Sequence, residues 1–114
     1  MLFGQGVSQT PLRTASIFQA VANGGKQIEP RIVESTTSPD GTVTTPESPA
    51  PKQVISETAA QQTLDVMENV VTQGGAKDAA VPGYRVGGKT GTAEAPSEKG
   101  GYDGFTTSFV GVAP

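Results

Sequence analysis

Glycine and proline punctuate this chain so densely that regular structure has few places to form. Fifteen glycines and nine prolines fall among 114 residues, and either one weakens a helix or strand interior. Two stretches between them carry helical patterns. Thr10-Pro11 reads as an N-cap followed by proline at the first helical position. Leu12, Ala15, Phe18 and Ala22 then recur at helical spacing, widened by Ile17 and Val21, until Asn23-Gly24-Gly25 closes the pattern. Ser56 caps a second helix whose stripe is Ala60, Leu64, Met67 and Val71, extended by Val66 and Val70 and closed by Gln73-Gly74-Gly75. The spacing predicts helices over about 11–22 and 57–72.

The remaining segments predict short extended runs. Lys26-Gln27-Ile28 and Arg31-Ile32-Val33-Glu34 flank Pro30, and Asp40-Gly41 is placed to turn a hairpin from Ile32-Val33 into Thr42-Val43-Thr44. Residues 45–51 form a polar, proline-rich loop, and residues 76–80 a single helical turn. Two further runs, 84–94 and 105–113, predict an antiparallel hairpin with Phe105, Phe109 and Gly111 on one face. Arg85 and Asp103 are candidates to pair across it. The fold class is α+β. An apolar content of 34% is low for an independent domain, so a thin core is expected.

Charge and composition remove several functions. A net charge of −3 opposes a nucleic-acid surface, and no apolar run approaches the ~18 residues of a membrane span. Histidine and cysteine are absent, so a Ser-His-Asp triad, a thiol nucleophile and a zinc-thiolate site are excluded within the chain. No cofactor or metal is implied.

The chemistry concentrates in Gly87-Gly88-Lys89-Thr90-Gly91-Thr92-Ala93-Glu94. The letters Gly83-Tyr84-Arg85-Val86-Gly87-Gly88-Lys89-Thr90 satisfy the phosphate-loop pattern G-x-x-x-x-G-K-[ST]. That motif works only where a strand delivers the glycines and a helix begins at the lysine. Here the strand-like residues lie inside the loop, and Gly91 with Pro96 follows where the helix belongs. On an exposed strand the same residues suit a carboxylate. Lys89 supplies charge, and the Thr90 and Thr92 hydroxyls are neutral donors sharing a face that Lys89 does not. Gly91 lets a ligand approach the backbone, and the Thr92 N–H is placed to serve an oxyanion.

Lys89-Thr90-Gly91 is a signature of penicillin-binding proteins and β-lactamases. Its flanks extend the match: Phe3-Gly4-Gln5-Gly6, Thr10-Pro11-Leu12 and Ala22-Asn23-Gly24-Gly25, then Gly88 through Glu94, then Ser108-Phe109-Val110-Gly111-Val112-Ala113-Pro114. In that order the chain resembles the transpeptidase domain of class B penicillin-binding proteins, the D,D-transpeptidases of division and elongation. The resemblance implies a partial penicillin-binding or serine β-lactamase-like fold, with residues 1–114 as the C-terminal part of the domain. It implies a parent protein anchored in the bacterial plasma membrane, with this domain on the outer face. Partners implied are D-Ala-D-Ala stem peptides, β-lactams and the rest of the transpeptidase domain. Lys89 would support the serine network, while Thr90, Gly91 and Thr92 would line the carboxylate site. Glu94 departs from the glutamine of some members.

The family's nucleophile sits in an S-x-x-K motif and a second motif reads S-x-N. No serine here is followed by lysine at the third position or asparagine at the second. The chain is therefore expected to be inactive alone and to supply one wall of the cleft. Two other readings stand beside it: a nucleotide-binding segment, and a non-catalytic interaction module using residues 36–55.

Overall fold

A computed structural model describes residues 7–113 as two helices and three two-stranded antiparallel sheets. Phe3-Gly4-Gln5-Gly6 and Pro114 of the motif series lie outside the described residues. The first helix, α1, spans Pro11–Ala22. Thr10 caps it by accepting the Arg13 backbone N–H at 3.2 Å, satisfying one of the unpaired donors of a helix start. At its end Gly24 and Gly25 take φ of 60° and 83°. The Gly25 N–H then reaches back to the Ala20 carbonyl at 2.8 Å.

That cap also ties α1 to the approach to α2. The Gly25 carbonyl accepts the Val54 N–H at 2.9 Å, and Gln53 Nε2 donates to the Gly24 carbonyl at 2.9 Å. Strand β1 (Lys26–Gln27) pairs beside them with β4 (Lys52–Gln53), Lys26 opposite Gln53. Nothing in Lys52-Gln53 marks a strand in advance.

The buried face of α1 differs from the one the spacing predicts. Ser16, Ala20 and Val21 are buried, whereas Leu12 is 59% and Ile17 45% exposed. Ala15 and Ala22 are exposed and Phe18 is half-buried. Apolar residues surround this helix, so the elements packed against it select the face. Gln27, arriving on β1, donates to Ser16 Oγ at 3.2 Å and makes that position a place to bury a hydroxyl.

Between β1 and β4 the chain forms an exposed arm. Its hairpin joins β2 (Thr36–Thr37) to β3 (Val43–Thr44). The expected turn at Asp40-Gly41 is present, with Thr42 N–H bonded to Asp40 Oδ1 at 3.0 Å and Gly41 at φ 87°. Its first strand is Thr36–Thr37 rather than Ile32-Val33, because the turn closes Ser38 N–H onto the Thr42 carbonyl at 2.9 Å and so fixes the register. Ile32 is fully exposed, and residues 31–34 are not a strand.

Helix α2 spans Glu57–Thr72, capped by Ser56 Oγ on the Ala59 N–H at 3.2 Å. Ala60, Met67 and Val71 are buried as the stripe predicts. Leu64 and Val70 are half-buried, while Val66 is exposed. A 3-10 turn at Lys77–Ala79 follows, then the hairpin of β5 (Gly87–Pro96) and β6 (Tyr102–Val112). Among the described residues the buried apolar side chains are Ala20, Val21, Ala60, Met67, Val71 and Ala76. Three of these are alanines, so the core is thin. The radius of gyration, 18.2 Å, exceeds the roughly 13 Å of a compact chain this long. No helix among the described residues is long and apolar enough to cross a membrane.

Candidate functional site

The lysine stretch enters the hairpin from a tight turn. Val81, Pro82, Gly83 and Tyr84 close with the Tyr84 N–H on the Val81 carbonyl at 3.1 Å. Gly83 takes φ of 87°, the type II pattern of proline then glycine. This turn absorbs Tyr84, so β5 begins at Gly87 rather than at 84. Gly87 lies flush on α2: a Cβ there would stand 3.1 Å from Met67 Cβ and 3.4 Å from the Glu68 amide nitrogen.

Register then assigns the faces. Gly88, Thr90, Thr92 and Glu94 lie opposite Gly111, Phe109, Thr107 and Phe105. Gly87, Lys89, Gly91 and Ala93 occupy the other face, which rests on α2 at Gly87. Thr90 and Thr92 thus share a face that excludes Lys89, as alternation predicts. All three side chains are exposed and Gly91 is half-buried. Lys89 Nζ donates to the Thr90 carbonyl at 2.8 Å. A groove of about 950 Å³ runs between Val7, Ser8 and Gln9, ahead of α1, and the hairpin at Gly91, Thr92 and Ser108.

Two glycines in the hairpin lie beneath side chains of the facing strand. The Phe109 ring lies across the Gly88–Gly111 pair, and a Cβ on Gly88 would sit 2.4 Å from its Cζ. On the opposite face Ser108 Oγ would be 2.6 Å from a Cβ on Gly91. The space above Gly91 on that side is taken by Ser108. Phe109 two positions before Gly111, with Gly88 in the facing strand, was a readable sign of an aromatic ring covering a glycine pair.

A phosphate loop does not form. Lys89 lies inside a ten-residue strand, and no helix starts at it to present amides to a phosphate. The expected Arg85–Asp103 pair is also absent. Arg85 precedes β5, whose first residue already faces Val112, whereas Asp103 lies at the far end near the Pro96–Tyr102 pairing. Arg85 turns to α2 instead. Its Nε donates to both Glu68 carboxylate oxygens, at 3.0 and 3.1 Å, and an Nη donates to Oε2. Asp65 Oδ1 stands 4.0 Å from the same guanidinium. The hydrogen bonds from Arg85 hold the Glu68 carboxyl below its ordinary range, and Glu68 in turn raises Arg85.

Known proteins share this fold. The family model described as penicillin binding protein transpeptidase domain matches residues 1–114. Penicillin-binding protein PbpB of Mycolicibacterium smegmatis is 42% identical over 121 residues, covering 97% of this chain and 19% of the relative. Stage V sporulation protein D of Bacillus subtilis is also 42% identical, over 98% of this chain and 18% of its own length. The chain thus spans about a fifth of the curated relatives it matches. The crystal structure of penicillin binding protein 3 from Mycobacterium tuberculosis superposes with a TM-score of 0.91 at 37% identity, over 96% of this chain and 27% of that one. The same protein has been solved complexed with ampicillin and with aztreonam. A family model matched from end to end, and a shared fold at 37% identity, place the chain in the penicillin-binding protein transpeptidase family, in its class B branch.

Proposed function

We propose that this chain supplies the carboxylate-binding edge of a serine D,D-transpeptidase. In this reading it is the C-terminal part of the domain, and another part of the same protein provides the nucleophile. The observation that carries the reading is Lys-Thr-Gly-Thr held on an exposed strand, with Thr90 and Thr92 on one face, in a chain of this family.

The serine attacks the carbonyl between the two D-alanines of a stem peptide. The terminal D-alanine leaves with a proton on its amine, and the acyl group remains on the serine. A neighbouring peptide's amine then displaces the serine and completes the cross-link. Thr90 and Thr92 donate their hydroxyl protons to the terminal carboxylate. Lys89 adds positive charge to the cleft and supports the serine's proton network. The Thr92 N–H serves the oxyanion, and Gly91 leaves room for Ser108 from the facing strand. A β-lactam presents its own carboxylate to the same groups and acylates the same serine. The protein carrying the domain is anchored in the bacterial plasma membrane, with the cleft on the outer face.

The test is labelling by a fluorescent penicillin of the longer protein that carries this chain with an S-x-x-K segment. A hydrogen bond to a charged group contributes ~1.5–3 kcal/mol, so Lys89→Ala should slow labelling roughly 10- to 100-fold. The 114-residue chain alone should not label. Unchanged labelling of Lys89→Ala would remove the assigned role.

A further inference from the structure

Lys89 and Thr90 act only if β5 stands in the right place relative to the nucleophile, and little in this chain holds the strand there. Gly87 and Gly88 are buried, but from Lys89 outward every residue of β5 is exposed or half-buried. Beyond its root the strand pairs with β6 among the described residues. Residues 85–88 are where the strand itself meets α2, while its partner β6 reaches α1.

Two contacts meet there. Gly87 presses its backbone onto α2 at Met67 and Glu68, which fixes the separation of strand and helix. Two residues earlier, Arg85 grips Glu68 through Nε and Nη together. A guanidinium bonded to a carboxylate at two nitrogens fixes orientation as well as distance. Asp65, one helical turn before Glu68, faces the same guanidinium. The Val81–Tyr84 turn delivers Arg85 to this point, and no other described acidic group is within ion-pair reach of it.

We propose that Glu68 and Arg85 form a positioning clamp that holds the root of β5 on α2 and so sets where Lys89 and Thr90 stand in the cleft. The effect on reactivity rests on the transpeptidase reading above; the effect on the strand does not. Arg85 is 73% exposed and Glu68 28%, and ion pairs this open add little to global stability. Geometry is where such a pair has leverage, since a displacement of about 1 Å in a reacting group costs roughly 100-fold in rate.

Acylation by a fluorescent penicillin separates positioning from folding in the longer protein. Labelled fraction reports how much protein is competent, and the acylation rate constant reports how well its groups are placed. Arg85→Met and Glu68→Gln should keep the wild-type fraction and lower the rate constant at least fivefold. Arg85→Lys, with charge but no fork, should fall between, and the exchanged pair Glu68→Arg with Arg85→Glu should recover part of the loss. A fall in labelled fraction alone, or an unchanged rate constant, overturns the proposal. Hydrogen exchange in the same proteins provides an arm independent of activity. Amides of 88–92 should exchange at least fivefold faster in Arg85→Met while those of α1 do not change, and equal exchange overturns the clamp. If wild-type protein fails to label, the transpeptidase reading falls and exchange alone decides the clamp.

Discussion

Replacing Gly88 by alanine should cost far more with the Phe109 ring present than with it removed. The new Cβ would lie 2.4 Å from Phe109 Cζ, 2.7 Å from Cε2 and 3.2 Å from the Val110 carbonyl oxygen. Carbon atoms at ease stand ~3.5–4.0 Å apart, so the ring must move by more than about 1 Å. Overpacking of this kind costs about 1–3 kcal/mol. Phe109 is 46% exposed, so the ring can swing outward and the cost lies toward the low end of the overpacking range. Gly88 does not have a positive φ, so alanine fits its backbone. With Phe109→Ala in place the ring contacts are gone and only the 3.2 Å approach to the Val110 carbonyl oxygen remains, so the smaller entropy of the unfolded chain, about 0.4–1 kcal/mol, should offset most of the residual cost. The assay is the free energy of local opening from hydrogen exchange of the 88–92 and 107–111 amides, in wild type, both single variants and the double. Additive effects, with Gly88→Ala destabilising by the same amount in both backgrounds, would refute the ring-over-glycine account of this hairpin.

Two further outcomes follow from the helix and its ion pair. Ser56→Ala removes the acceptor for the Ala59 N–H and should lower stability by about 1 kcal/mol, whereas Ser56→Asp should preserve it; thermal unfolding of the two variants compares them. Arg85 depresses the Glu68 carboxyl in the folded state, so the clamp's contribution is present above the ordinary carboxylate pKa and lost as pH falls through the depressed folded value. The gap in 88–92 amide exchange between wild type and Glu68→Gln, taken at matched pH, should therefore be open at neutral pH and close in acid. A gap independent of pH would show that the carboxylate charge is not what holds the strand.

How far the sequence could be read depended on how local each signal was. Both helices begin and end where Thr10, Ser56 and the glycine pairs put them, because capping is settled within a few residues. The β5–β6 hairpin was legible from its two extended runs and the turn residues between them. The buried face of α1 was not, since apolar residues surround that helix and a glutamine from β1 chose Ser16. Strand β4 was equally hidden. Lys52 and Gln53 carry no strand signal, and they pair because the α1 cap holds β1 alongside them. Arg85 was assigned to the wrong acid for a related reason. Reading 84–94 as one extended run placed it on the hairpin, but the Val81–Tyr84 turn keeps it off the sheet and brings it back beside α2. At the candidate site, the sharing of a face by Thr90 and Thr92 followed from alternation alone. Ser108 over Gly91 needed the register.

The central claim is that the Thr90 and Thr92 face receives a carboxylate. The most direct measurement compares acylation of the longer protein by a penicillin and by its carboxylate methyl ester, in wild type and in Thr90→Val with Thr92→Val. Wild type should strongly prefer the acid, and the double variant should lose most of that preference by reacting more slowly with the acid while its rate with the ester hardly changes. Equal preference for the acid in both proteins would contradict the account.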